Sequence, residues 1–150
     1  MSIAAATGTG IVQSSRKAIG RHSMNVKLST LWIFVMFNYV YGDVVGLMDA
    51  KLLRQYVTGD VNGLAMTQGF LLGASVFMEI PIAMVLLSRV MNDRANRRAN
   101  IVAGTVMTTV LFLTLFVGAA PTMHYVFFSL IEITGTAYIV WCAWKWRIAE

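Results

Sequence analysis

One stretch decides the fold: Gln68-Gly-Phe-Leu-Leu-Gly-Ala-Ser-Val-Phe-Met-Glu79-Ile-Pro81-Ile-Ala-Met-Val-Leu-Leu-Ser88. It is long and apolar enough to cross a bilayer, which takes about 20 residues of helix. Glu79 stands near its middle, and an ionisable group at membrane depth is costly, so it predicts a functional site. Pro81 removes a backbone donor and predicts a kink that frees a carbonyl near Phe77.

The composition of the whole chain agrees with this stretch. The 150 residues are 57% hydrophobic and 13% charged, whereas soluble domains have roughly 45–50% apolar and about 25% charged residues. We therefore predict an all-α fold, a transmembrane four-helix bundle. A basic N-terminal tail (residues 1–27) precedes a membrane bundle (28–148), whose spans cover about 28–48, 66–90, 101–119 and 123–144.

Lysine and arginine set the orientation. Ten of the twelve fall in the tail, in residues 89–100 and at the C-terminus, and two fall in residues 49–65. Because basic residues favour the cytoplasmic side, both termini are predicted to be cytoplasmic in a multi-pass protein of the inner membrane. The net charge of +5 is explained by this orientation, without nucleic acid as a partner.

The connecting segments are polar. Residues 1–27 read as a flexible tail with a surface helix near 11–19, and residues 89–100 as a cytoplasmic loop that fixes topology or binds acidic lipid. Residues 49–65 form the longest loop. Before Thr58 the pattern predicts a short amphipathic helix, and Gly59-Asp60 and Asn62-Gly63 are typical turn pairs.

The first span carries an unusual polar load. Asn38, Tyr39 and Asp43 lie within it, and Tyr39 and Asp43 share a helix face at i, i+4. Gly42 and Gly46 form a ridge of small residues that lets another helix approach closely. Alternatively, Asp43 lies near the outer interface and is simply hydrated.

The second and fourth spans also carry acids. Gln68, Ser75 and Glu79 form one polar stripe, which should face the bundle interior or a partner subunit. Glu132 of the fourth span shares a face with Tyr125. The acids of three spans then descend from the outer surface towards the midplane. The predicted ligand- or ion-binding residues are Glu79, Glu132, Asp43, Asn38, Tyr39, Gln68 and Ser75.

Spacing leaves the arrangement of these acids open. In the first alternative, the acids share a cavity between spans one, two and four, with span three behind. In the second, each remains protonated and bonds a backbone carbonyl, and in the third the acids line a contact between subunits. A metal site is not predicted, because the one cysteine, Cys142, excludes a thiolate cage. The two histidines, His22 and His124, fall on opposite sides of the predicted membrane.

Three segments carry a family resemblance: Leu31-Trp-Ile-Phe-Val-Met-Phe-Asn-Tyr-Val-Tyr-Gly-Asp43, Gln68-Gly-Phe-Leu-Leu-Gly and Met78-Glu-Ile-Pro-Ile-Ala-Met-Val-Leu-Leu-Ser-Arg89. They resemble an uncharacterised family of small bacterial four-helix membrane proteins over most of residues 28–148. The resemblance implies architecture and no activity. A looser likeness to DoxX-type proteins, some of which associate with quinone-linked oxidoreductases, has no specific motif behind it.

Function is therefore predicted from the buried acids. The first hypothesis is a protein, expected to form homo-oligomers, with an outward-opening polar cavity that binds or transports a cation, a proton or a cationic or lipid-like small molecule. The alternatives are an accessory subunit of a larger membrane complex, redox complexes included, and a lipid-modifying, isomerase-like enzyme that uses a pair of glutamates. No cofactor is predicted, and no phosphate-cradling glycine loop exists.

Overall fold

The computed structural model describes residues 3–116 and 121–146. This part of the chain is helical apart from one small hairpin. Its elements are α1 (Ile3–Leu47), α2 (Ala50–Thr58), β1 (Asp60–Val61), β2 (Leu64–Ala65), α3 (Gln68–Val90), α4 (Asp93–Thr114) and α5 (Met123–Lys145).

Three helical segments are long and apolar enough to cross a membrane. They are His22–Leu47 within α1, Gln68–Val90 and Met123–Lys145. Helix α4, which covers residues 101–114 of the predicted span 101–119, is not among them, because its first two turns are polar. Residues 117–119 of that span lie outside the described residues. The all-α class is thus confirmed, whereas a bundle of four spans stays a prediction.

Two helix starts differ from the expectation. Helix α1 already begins at Ile3 and is continuous through the segment predicted as a flexible tail, since no proline interrupts it. The prediction of a loop over residues 89–100 is wrong, because α4 already begins at Asp93. The Asn92 side chain caps it by accepting a hydrogen bond of 2.9 Å from the Ala95 amide, which satisfies a free donor of the first turn.

The segment between α1 and α3 matches its prediction. The short amphipathic helix is α2, capped by the Asp49 carboxylate, which accepts a 2.8 Å bond from the Lys51 amide. Gly59 ends it with φ 77°, and Asn62 and Gly63 make the hairpin turn with φ 54° and 84°. These positive angles explain the predicted turn pairs, because glycine and asparagine tolerate them best.

The long helices pack in a cycle. Helix α1 contacts α3 and α5, and α4 contacts the same two helices. Helix α4 thus lies across from α1, between α3 and α5, and the predicted cavity between spans one, two and four stays a prediction. Fully buried apolar side chains fill the centre: Leu28, Trp32, Val35, Met107 and Ile139.

Glycines allow the close approaches between these helices. A Cβ at Gly104 of α4 would lie 2.6 Å from Val140 of α5, and one at Gly135 of α5 would lie 2.8 Å from Val35 of α1. At Gly42 it would lie 3.3 Å from the Phe128 ring. The prediction that a second helix approaches α1 closely along the Gly42 ridge is therefore confirmed, and that helix is α5.

Candidate functional site

The most unusual side chain in the described structure is Glu132, in the middle of α5. It is only 6% exposed. Its carboxylate points at α1, where a Cβ built on Gly42 would lie 3.7 Å from Oε1. The missing side chain at Gly42 thus makes the room that the carboxylate occupies between the two helices.

The Glu132 carboxylate has no partner among the described residues. The backbone carbonyl of Glu132 accepts a 2.9 Å hydrogen bond from the Thr136 hydroxyl, but no hydrogen bond or ion pair from the side chains that the structure describes reaches the Glu132 carboxylate. Buried polar groups in folded proteins are nearly always hydrogen-bonded. A carboxyl group left without a protein partner indicates a place for water, an ion or a ligand.

Tyr39 of α1 is a second buried polar group without a partner. Its side chain is 6% exposed, and within the described part of the chain no hydrogen bond reaches its hydroxyl. The hydroxyl lies within electrostatic range of Glu132. Two unsatisfied groups that face the same helix contact are more informative than one, because a single bound species can satisfy both.

Asp43 lies one turn further along α1. It is exposed and within electrostatic range of Glu132. The two acids and the phenol of Tyr39 therefore form one cluster, here called the acidic cluster (Tyr39, Asp43, Glu132). It lies in the half of the helices next to α2.

Helix α2 lies beside the acidic cluster. Burial, followed by the nearby Asp43 carboxylate and then Tyr125, raises the pKa of the Tyr56 phenol above its ordinary value. Tyr125 donates a 2.8 Å hydrogen bond to Thr114 at the end of α4. Two tyrosines, Tyr56 of α2 and Tyr125 of α5, therefore lie close to each other at the α2 end of the acidic cluster.

These groups favour particular chemistry. Carboxylates and phenol oxygens accept hydrogen bonds from a cation, and aromatic faces attract organic cations. No group of three or more His, Cys, Asp or Glu side chains that could hold a metal ion occurs in the described ranges. The arrangement therefore suits an ammonium group better than a transition metal.

The other predicted site residues lie elsewhere. Asn38 donates a 2.9 Å bond to the Phe34 carbonyl of its own helix, and Ser75 donates a 2.8 Å bond to the Leu71 carbonyl. Gln68, Ser75 and Glu79 are all exposed on α3. The structure brings Tyr39, Asp43 and Glu132 together and keeps Glu79 apart from them.

The buried face of α3 explains the position of Glu79. Pro81, Met84 and Ser88 are the buried residues of this helix. Glu79 lies on the opposite side at about 100° per residue. Spacing within one helix predicted the polar stripe, but it did not reveal which side of α3 meets the rest of the protein.

A buried asparagine network at the opposite end of the helices was missed by the sequence analysis. The Trp32 indole N–H donates a 2.8 Å bond to Asn100 Oδ1, and Asn100 Nδ2 donates a 2.6 Å bond to Asn96 Oδ1. Asn96 Nδ2 in turn donates to the Ser88 carbonyl (2.7 Å) and to Asn25 Oδ1 (3.0 Å). The signal was the i, i+4 spacing of Asn96 and Asn100, hidden in a segment interpreted as a loop.

Two arginines complete this end. Arg97 donates 3.1 Å bonds to the carbonyls of Ala143 and Trp144, the last turn of α5, where carbonyls lack helical partners. Arg89 donates a 3.0 Å bond to the Ser29 hydroxyl. The asparagine network and the arginines therefore tie α1, α3, α4 and α5 together at the end away from the acidic cluster.

No protein of curated function matches the chain, and no solved structure matches it. Residues 20–150 match one family, described as a family of unknown function (DUF6326). This confirms the expectation of an uncharacterised family, while the membrane architecture of its members and the DoxX-type likeness stay predictions. The chain therefore belongs to DUF6326, a family of unknown function.

Proposed function

We propose that this protein is a four-span membrane protein whose acidic cluster binds a small organic cation from the outer side of the membrane. One observation carries the proposal. The Glu132 and Tyr39 residues are each only 6% exposed, and no described group forms a hydrogen bond with the Glu132 carboxylate or the Tyr39 hydroxyl. A ligand with an ammonium group supplies the donors and the charge that these two groups lack.

The four-span arrangement rests on α4 and on the basic residues. Residues 101–114 of α4 are mainly apolar and pack along α5, one of the candidate spans. With both termini in the cytoplasm, ten of twelve lysines and arginines lie on the cytoplasmic side, as the positive-inside rule favours. The acidic cluster, near α2, then faces the outer side of the inner membrane.

An organic cation is favoured over a bare metal ion by the surroundings of the acids. The Phe128 ring packs against Gly42, and Tyr56 lies near both Asp43 and Tyr125. Aromatic side chains beside carboxylates attract ammonium groups through their faces, while their apolar surface covers the carbon skeleton. A lipophilic primary or quaternary amine combines both properties.

Binding is favoured over transport by the centre of the protein. Val35, Met107 and Ile139 are fully buried, and along their helices they lie between the acidic cluster and the asparagine network. An ion that crossed the protein would have to pass this apolar layer, so transport requires a rearrangement. The isomerase-like alternative is disfavoured, since Glu79 lies apart from Glu132 and cannot act as its acid–base partner.

The test is ligand-dependent stabilisation of the purified protein in lipid nanodiscs. A ligand at 100 times its Kd stabilises the folded state by about 2.7 kcal/mol. We expect phenethylammonium to raise the midpoint of thermal unfolding, and the neutral alcohol 2-phenylethanol to leave it unchanged. The Tyr39→Phe variant should require a higher ammonium concentration for the same shift.

Two outcomes would contradict the proposal. Equal stabilisation by the amine and by the alcohol would mean that charge is not recognised, which favours a neutral lipid-like ligand. Stabilisation by the amine that is unchanged in a Glu132→Gln variant would place the cation outside the acidic cluster. Asn38→Ala is a suitable control, because Asn38 is bonded to its own helix.

A further inference from the structure

The outer face of α3 carries a regular series of exposed residues. These residues, here called the α3 seam, are Gln68, Leu72, Ser75, Glu79, Ile82 and Leu86. They are spaced alternately by four and three positions, which is the 3.5-residue period of helices that wind around each other. The opposite face of α3 packs into the protein through Pro81 and Met84.

Glu79, the charged member of the α3 seam, cannot remain exposed to lipid in a bilayer. Glu79 lies eleven residues from either end of α3, or about 16 Å along the axis, so it stands at the middle of a candidate span. The hydrocarbon core offers no water, and an ionisable residue there normally faces other protein. Among the side chains that the structure describes, none forms a hydrogen bond or ion pair with Glu79.

We propose that two copies of this chain associate through their α3 seams as a parallel, two-fold symmetric dimer. Copies inserted in the same orientation present the same residue at the same depth, so a two-fold axis brings each seam residue opposite its equivalent. Protonated carboxyl and carboxamide groups each donate and accept hydrogen bonds. Glu79 therefore pairs with Glu79, and Gln68 with Gln68.

A second copy fits the α3 seam better than a different partner. An unlike partner that neutralised Glu79 would need a basic group at membrane depth, which is itself costly. The second copy needs none, because the seam is self-complementary. Leu72, Ile82 and Leu86 fill the space between the polar pairs, and the heptad spacing gives the left-handed crossing of about +20° that is common between membrane helices.

Cysteine cross-linking in bilayers tests the contact directly. The full-length protein is used, with the buried Cys142 replaced by alanine. Leu72→Cys is compared with Phe70→Cys, since both side chains are exposed (67% and 42%) but differ by about 200° around the helix. We expect at least tenfold more disulfide-linked dimer from Leu72→Cys than from Phe70→Cys. The proposal would be overturned if the two variants gave equal yields, if neither gave dimer, or if Phe70→Cys gave more.

A second measurement covers the polar pairing. The dimer dissociation constant is obtained in vesicles by energy transfer between labelled copies. Interhelical hydrogen bonds in membranes predict a roughly 3- to 30-fold weaker dimer for Glu79→Leu and little change for Glu79→Gln. The matched control is Thr134→Leu, at an exposed position of α5 bonded to its own helix. An unchanged constant for Glu79→Leu, or the same loss in the control, would refute the pairing.

Discussion

Replacing Asn100 by alanine tests the packing at the cytoplasmic end of the proposed topology. Two buried groups lose short hydrogen bonds in this variant, the Trp32 indole N–H and the Asn96 side-chain oxygen, which are bonded to Asn100 at 2.8 and 2.6 Å. The buried Ser88 hydroxyl also loses longer bonds of 3.3 and 3.4 Å to the same side chain, which add to the loss. Trp32 and Asn96 are fully buried, so water does not replace the lost bonds. At about 1–3 kcal/mol for each unsatisfied group, we expect a loss of about 2–6 kcal/mol in the free energy of unfolding.

A double-mutant cycle separates this effect from the cavity that alanine leaves. Trp32→Phe removes the donor itself, so in the double variant no indole N–H remains unsatisfied. The double variant should therefore be more stable than the sum of the single changes predicts, by about 1–3 kcal/mol. Unfolding in mixed detergent micelles gives the four free energies. If the effects of the two single changes add within about 0.5 kcal/mol, the hydrogen bond between Trp32 and Asn100 does not contribute to stability as proposed. Thr134→Ala, a change at an exposed position of α5, is the control.

The other predictions concern helix contacts and the α2 end of the acidic cluster. Gly104→Ala should lower the free energy of unfolding by about 1–3 kcal/mol through overpacking, since its Cβ would lie 2.6 Å from Val140. The control Gly73→Ala should be neutral or stabilising, because no atom lies within 4 Å of a Cβ built there. Burial and then Asp43 raise the pKa of Tyr56, so Asp43→Asn should lower that pKa. The Tyr56 pKa is measured by ultraviolet titration, as the difference between the spectra of proteins with and without the Tyr56→Phe change. An unchanged pKa in Asp43→Asn would show that Asp43 does not lie near Tyr56 of α2.

The sequence predicted the features that depend on local patterns. The apolar run from Gln68 to Ser88 indicated α3, the Asn62-Gly63 pair indicated the turn with positive φ angles, and the amphipathic pattern before Thr58 indicated α2. Each of these depends on residues a few positions apart. The shared face of Tyr39 and Asp43 follows in the same way from their i, i+4 relation, but the hydrogen bond that this spacing allows does not form, since no described group bonds the Tyr39 hydroxyl.

The sequence did not predict the features that depend on which faces of the helices meet. Glu79 and Glu132 are both acids in the middle of apolar helices, yet one is exposed and the other is 6% exposed. Hydropathy does not distinguish them, because in a membrane protein the outer face is as apolar as the interior. The asparagine network was missed because polar residues beside arginines were interpreted as a loop.

The central claim is that Glu132, and not the other mid-helix glutamate, is the acid that binds the cation. Calorimetric titration of phenethylammonium into wild type, Glu132→Gln and Glu79→Gln in nanodiscs tests it most directly, because both variants replace a mid-helix carboxyl group by an amide of the same shape. Loss of a charged hydrogen bond at about 1.5–3 kcal/mol predicts a Kd about 10- to 150-fold higher for Glu132→Gln. The Kd of Glu79→Gln should equal that of wild type. A Glu132→Gln protein that binds as tightly as wild type would contradict the claim.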